Sequence, residues 1–275
     1  MINPTIMDDN LLREYLPKRS RTAYKGDFGH LLVVGGNYGM AGAARMAAEA
    51  GARVGAGLVT VATQPEHLNL ILQGRPELMC HAVNNSNDLL QLFEKSTVIV
   101  LGPGLGKDNW ACDLWEQTLL VKQPMVIDAD ALNLLAERPQ YCDRWILTPH
   151  PGEAARLLDS TVADVQADRF ASARAIQTQY GGICVLKGAG TLIISEEKIW
   201  LCAAGNPGMA TGGMGDVLSG TIGALLAQGL SLEYAAAVGV LVHAKAGDCA
   251  AAKQGERGLL AGDLINYLQG VVNPN

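Results

Sequence analysis

The chain has 275 residues, 49% of them hydrophobic and 5% aromatic, with a formal net charge of −6. That length and apolar content suit one large α/β domain with a sizeable core, and they exclude a disordered chain. The acidic balance has no basic run, which argues against nucleic acid as the main partner; an anionic ligand must be held by local donors and not by the overall field.

Six cysteines (Cys80, Cys112, Cys142, Cys184, Cys202, Cys249) are scattered without a C-x-x-C. The pattern predicts free thiols in a reducing compartment, not a disulfide frame or a zinc site. Met1-Ile2-Asn3-Pro4 lacks the basic and apolar regions of a leader. The apolar stretches are broken by Ser, Thr, Gln and Glu before the roughly 20 residues that span a bilayer. The expectation is a cytoplasmic protein with no membrane partner.

In chain order, residues 8–16 read as a short amphipathic helix, followed by the basic loop Lys18-Arg19-Ser20-Arg21. His30-Leu31-Leu32-Val33-Val34 is a buried strand, ended by the Gly35–Gly42 turn and an Ala-rich helix to about Gly51. The spacing is not G-x-G-x-x-G, and the next strand, 58–62, ends in Thr63-Gln64 with no acid for a ribose diol. Both facts weigh against a Rossmann dinucleotide site, and no P-loop motif occurs.

A helix over 87–95 leads to a strand at 97–101 that ends in Gly102-Pro103-Gly104-Leu105-Gly106. A helix over 108–121 leads to strand 125–127, which ends in Asp128-Ala129-Asp130, then a short helix to Glu137. Strand 145–147 ends in Thr148-Pro149-His150-Pro151-Gly152-Glu153. A long helix over 162–179 leads to strand 183–186, ended by Lys187-Gly188-Ala189-Gly190-Thr191. Strands 191–195 and 198–202 form a hairpin across Glu196-Glu197. The loop Gly205–Asp216 follows, then helices over 217–228, 232–252 and 263–269. Alternating strands and helices predict a mostly parallel sheet covered on both faces, with the hairpin at one edge, in a single domain over 1–275.

In open α/β sheets ligands collect at the carboxyl ends of the strands, and six such ends here carry unusual residues. Gly205–Asp216 is glycine-dense and runs into a helix start, where unpaired N–H groups and the helix dipole favour phosphate. Asp216 has two readings at this stage: a general base beside the phosphate, or a carboxylate that merely complements the helix N-terminus. Lys187-Gly188-Ala189-Gly190-Thr191 offers a cation, a pliable backbone and a hydroxyl to a second phosphate. His150 and Glu153 add an imidazole and a carboxylate that can orient water around Mg²⁺, although His150 also reads as a satisfied, partly buried histidine. Asp128 and Asp130 read equally as caps of the following helix.

Lys25-Gly26-Asp27-Phe28-Gly29-His30, Gly35-Gly36, Gly102–Gly106, Asp128-Ala129-Asp130-Ala131-Leu132-Asn133, Thr148–Glu153, Lys187-Gly188 and Asn206–Asp216 together resemble the ADP/ATP-dependent NAD(P)H-hydrate dehydratase family, from about Lys25 to the C-terminus. The resemblance implies a ribokinase-like three-layer sandwich. It implies dehydration of the S epimer of hydrated NADH or NADPH, driven by a nucleotide. Bacterial members of this kind resemble ADP users that release AMP and phosphate, and eukaryotic relatives favour ATP. Residue by residue, it places Lys187, Gly188, Ala189, Gly190, Thr191 and Gly215 on the nucleotide, and Ala43, Gly106, His150 and Asp216 on the hydrated dinucleotide. Mg²⁺ would be the cofactor, with Glu153 as an indirect ligand. The resemblance also implies a homo-oligomer, a tetramer, and an epimerase domain fused or acting in the same pathway. In this reading Asp216 takes the proton of the attacking hydroxyl, and the N–H groups of Gly213, Met214 and Gly215 hold the transferring phosphoryl oxygens. The rival readings are a small-molecule kinase of the same fold, which leaves a stable phosphoester, and a nucleotide-binding protein without turnover.

Overall fold

A computed structural model describes residues 4–274; Met1-Ile2-Asn3, part of the stretch read for a leader, lies outside the described residues. The chain runs β1 (Thr5–Ile6), α1 (Asp9–Tyr15), β2 (His30–Val34), α2 (Ala41–Val54), β3 (Leu58–Thr63), α3 (Leu68–Leu72), β4 (Met79–Ala82), α4 (Leu90–Lys95), β5 (Val98–Leu101), α5 (Asn109–Thr118) and β6 (Met125–Ile127). It continues through α6 (Ala129–Glu137), β7 (Trp145–Leu147), α7 (Pro151–Leu157), α8 (Val162–Ala167), α9 (Arg169–Tyr180), β8 (Ile183–Leu186), β9 (Thr191–Ile194), β10 (Ile199–Cys202), α10 (Met214–Ala227), α11 (Leu232–Gln254) and α12 (Ala261–Val271).

The strands form one sheet in the order β1-β10-β9-β8-β7-β6-β5-β2-β3-β4. From β4 across to β8 every neighbouring pair is parallel. β9 is antiparallel to both β8 and β10. The expected hairpin therefore forms, but β1 pairs alongside β10 and takes the outer place.

Side chains alternate across each strand and so feed two cores. Leu31, Val33, Val98, Val100, Val126 and Ile146 face one, beneath α2, α10, α11 and α12. Leu32, Val34, Ile99, Leu101, Ile127 and Leu147 face the other, beneath the helices from α4 to α9. This is the three-layer arrangement the alternation predicted. Parallel strands buried on both faces read as continuous apolar runs, which is why they were visible in sequence.

α10 is buried at every residue from Val217 to Ala227 and packs between the sheet, α2 and α11. Its small-residue faces are consumed inside the subunit. α11 is long and apolar enough, by length and composition, to cross a membrane, yet 72% of its apolar window is buried within the fold. Counting interruptions missed this helix as an apolar span; the fold uses it as a core element.

Two local differences bear on the site. The stretch Pro151-Gly152-Glu153 is already the first turn of α7, with Pro151 in the first turn and Glu153 closing a capping box on His150. The helix expected over 162–179 breaks at Asp168, whose side chain caps α9 by accepting from the Ala171 N–H at 2.9 Å.

Candidate active site

Asp128 follows β6 and occupies the cap position of α6, but its side chain makes no cap bond. Its Oδ1 accepts instead from Thr148 Oγ1 at 2.8 Å and from Lys187 Nζ at 2.9 Å. Asp128 is 1% exposed. Lys187 Nζ also lies 3.6 Å from Glu153 Oε2. Glu153, itself buried, accepts from the His150 N–H at 2.7 Å. Three strand ends, those of β6, β7 and β8, thus converge on one ammonium group.

The cluster lies against the first turn of α10. A methyl group placed on Gly215 would stand 3.2 Å from Lys187 Nζ and 3.7 Å from Asp128 Oδ2. Gly213, the cap position just before α10, holds φ +89° and makes no side-chain cap. A Cβ there would meet Met46 Cε at 2.7 Å and Ala261 Cβ at 3.0 Å, so both the conformation and the crowding call for glycine. The uncapped first turn leaves N–H groups with no helical acceptor, and the positive end of the dipole points the same way.

These surroundings set the charges. Burial raises the Asp216 carboxyl from the usual 3.8 to about 7; Asp128 adds to the rise and Lys187 opposes it. Burial likewise raises Glu153. Burial works to lower Lys187, but Asp128 and Glu153 outweigh it and the net shift is upward, so the ammonium stays charged. His150 is lowered by burial and by Lys187, which favours the neutral ring. Its Nδ1 accepts from the Gly152 N–H at 2.9 Å.

The structure therefore brings Lys187, His150, Glu153, Asp216 and the Gly213–Gly215 turn together. The rest of the Lys187–Thr191 stretch is a turn between β8 and β9, braced by Arg169, whose Nη2 donates to Leu186 O at 3.2 Å and Gly190 O at 3.3 Å. Thr191 Oγ1 donates within that turn, to Gly188 O at 2.9 Å. The Lys187 ammonium leaves its own loop and turns to the carboxylates. Gly106 lies on the other side, over β5, where its N–H donates to Asp130 Oδ2 at 2.8 Å. Ala43 lies in the first turn of the neighbouring helix α2.

Several contributors escaped the sequence reading. Asp128 stands at a strand end, where the sequence leaves open a site role or a helix cap; its partner, Lys187, lies 59 positions away. Arg169, which braces the turn after β8, carries no motif. Asp248 on α11 anchors the entrance of the glycine loop, accepting from the Gly205 N–H at 3.0 Å and from Asn206 Nδ2 at 2.9 Å.

A sequence profile of NAD(P)H-hydrate dehydratase matches residues 31–270. The chain belongs to the NAD(P)H-hydrate dehydratase family. It is 59% identical over 260 residues to the bifunctional NAD(P)H-hydrate repair enzyme of Coxiella burnetii, an alignment that takes in 94% of this chain and 53% of that protein. It is 41% identical over 257 residues to the ADP-dependent (S)-NAD(P)H-hydrate dehydratase of Neisseria meningitidis, covering 90% of this chain and 86% of that one. Its fold superposes on the ADP/ATP-dependent NAD(P)H-hydrate dehydratase of Bacillus subtilis, co-crystallised with ATP and Mg²⁺, with TM-score 0.88 and 28% identity over 98% of each chain. The chain spans about half the length of the bifunctional relatives it matches.

Proposed function

We propose that this chain dehydrates the S epimer of hydrated NADH and NADPH at the expense of ADP, releasing AMP and phosphate. The observation that carries the reading is Asp216. It stands in the first turn of α10, beside an unpaired N–H cradle and a charged lysine, with its carboxyl raised to about 7. A pure anion site has no use for that carboxylate. A phosphoryl acceptor site does, because a base of that strength is half ionised near neutral pH and can take a hydroxyl proton.

The chemistry follows from the groups present. The substrate hydroxyl oxygen attacks the terminal phosphorus, its proton passes to Asp216, and the bond to the departing AMP breaks. The N–H groups of Gly213, Met214 and Gly215, with Lys187, stabilise the transferring phosphoryl oxygens. Phosphate is then a far better leaving group than hydroxide. The ring nitrogen lone pair expels it, and loss of the neighbouring C–H proton to water restores the ring double bond. His150 and Gly106 flank the dinucleotide, and Gly188–Thr191 hold the nucleotide.

Among the described residues no group of three or more His, Cys, Asp or Glu side chains forms a metal cage. The donor set still suits Mg²⁺, which is commonly held by one or two carboxylates plus substrate phosphates. Glu153 is buried next to the phosphate cradle, and Asp128 Oδ2 is a buried oxygen without a partner. Mg²⁺ would supply charge neutralisation on the nucleotide phosphates.

Asp216→Asn tests the assignment. It keeps the shape and the nucleotide affinity and lowers turnover by at least about a thousandfold. Turnover near the wild-type rate contradicts the base assignment.

A further inference from the structure

We infer that Tyr38 is the platform on which the adenine ring of the hydrated dinucleotide stacks. The inference rests on the dehydratase reading and adds the site's remote anchor to it. Tyr38 is 61% exposed, on the loop that joins β2 to α2 at the carboxyl rim of the sheet. An exposed tyrosine is ordinary; one held from three sides is not.

Its Oη donates to Glu66 Oε1 at 3.1 Å. Its ring stands edge-on to the buried His67, with centroids 6.1 Å apart at 72°. Its N–H donates to Asn37 Oδ1 at 2.8 Å. Asn37 is 4% exposed and ties the loop to its neighbours, donating from Nδ2 to Leu105 O and Asp108 Oδ2, each at 3.0 Å. His67 is fixed in turn, its Nδ1 standing 2.8 Å from Gly36 O. The ring is therefore presented to solvent in a set orientation, which removes part of the ordering cost of stacking.

The order of strands says what can reach it. The nucleotide turn lies over β8 and β9, and the reacting cluster lies over β6 to β8 beneath α10. Tyr38 and Glu66 lie past Gly106 in the other direction, at the ends of β2 and β3. Two to three strand spacings from β6 make roughly 10–15 Å. A nucleotide whose terminal phosphate meets Asp216 has its base on the far side. The dinucleotide, with its damaged ring at Asp216, extends across the pyrophosphate towards β2. The hydrated reduced nicotinamide is neither aromatic nor planar, so the adenine is the planar ring the substrate can offer to a tyrosine face.

The test compares wild type, Tyr38→Ala and Tyr38→Phe on hydrated NADH and on the hydrated reduced nicotinamide mononucleotide, which lacks the adenosine half. Tyr38→Ala should raise the KM for hydrated NADH about tenfold, the usual scale for one base–aromatic stack. Tyr38→Phe, which keeps the ring, should restore most of the low KM. The KM for ADP, and turnover of the mononucleotide, should not separate Tyr38→Ala from wild type. An unchanged KM for hydrated NADH, an equal loss on the mononucleotide, or a shift confined to ADP overturns the platform while leaving the dehydratase reading intact. A wild-type protein inactive on hydrated NADH overturns both.

Discussion

Lys187 Nζ sits 2.9 Å from Asp128 Oδ1, and that aspartate is almost wholly shut off from solvent. The pair joins the end of β8 to the end of β6 and sets the field at Asp216. An uncompensated buried charge at either position would be expensive, so each residue holds the other in place, and Asp128 helps to keep the Lys187 ammonium charged.

Asp128→Asn removes the negative charge that helps raise Asp216 and loosens the ammonium that lowers it. The first change lowers the Asp216 pKa and the second raises it; the Asp128 charge is the larger influence, so the net shift is towards a stronger acid at Asp216. In the wild type, kcat/KM should rise with pH with a midpoint near 7, as Asp216 ionises. In the variant that limb moves to lower pH, and turnover drops about a hundredfold because Lys187 is no longer positioned. A pH–rate profile with the limb unmoved contradicts the coupling.

Asp216 also governs stability. Its folded pKa lies above the usual 3.8, so the fold prefers the protonated acid. The ionised form is destabilising, absent as an effect below about pH 4 and complete above about pH 7. Asp216→Asn should therefore melt several degrees above wild type at pH 8, with the gap closing as the pH falls towards 4. Catalytic groups commonly sit at such a stability cost. Thermal melts across that range read the effect, and a gap independent of pH contradicts it.

Two glycines of one loop should fail in different ways. Gly213→Ala forces a side chain onto φ +89° and into Met46, so it should unfold at lower temperature. Gly215 lies within α10 at an ordinary helical conformation, where alanine is about 1 kcal/mol better than glycine. Gly215→Ala should keep its melting temperature and raise the KM for ADP, because the new methyl group crowds Lys187 Nζ. Denaturation and kinetics on the same two proteins separate the cases; equal stability losses contradict the distinction.

The sheet and its helices were legible because buried parallel strands are continuous apolar runs ended by glycine. β1 and β4 were not: each lies near an outer end of the sheet and lacks a fully buried run. The rim residues were legible as a set, since glycine turns, Asp216, His150 and Lys187 each interrupt a strand-to-helix passage. What each does was less so. The Asp128–Lys187 pair is a contact between distant strand ends, and no local pattern announces it. Arg169, which braces the turn between β8 and β9, and Asp248, which holds Gly205, act through backbone groups that carry no sequence signature.

Phosphoryl-driven dehydration at Asp216 would leave a stoichiometric signature. The direct measurement incubates the protein with hydrated NADH, ADP and Mg²⁺ and follows reduced-nicotinamide absorbance together with inorganic phosphate and AMP. Absorbance should return with one phosphate and one AMP formed per NADH restored, and omitting ADP should abolish the recovery. Consumption of the nucleotide with a stable phosphoester and no return of absorbance contradicts the dehydration and identifies a kinase instead.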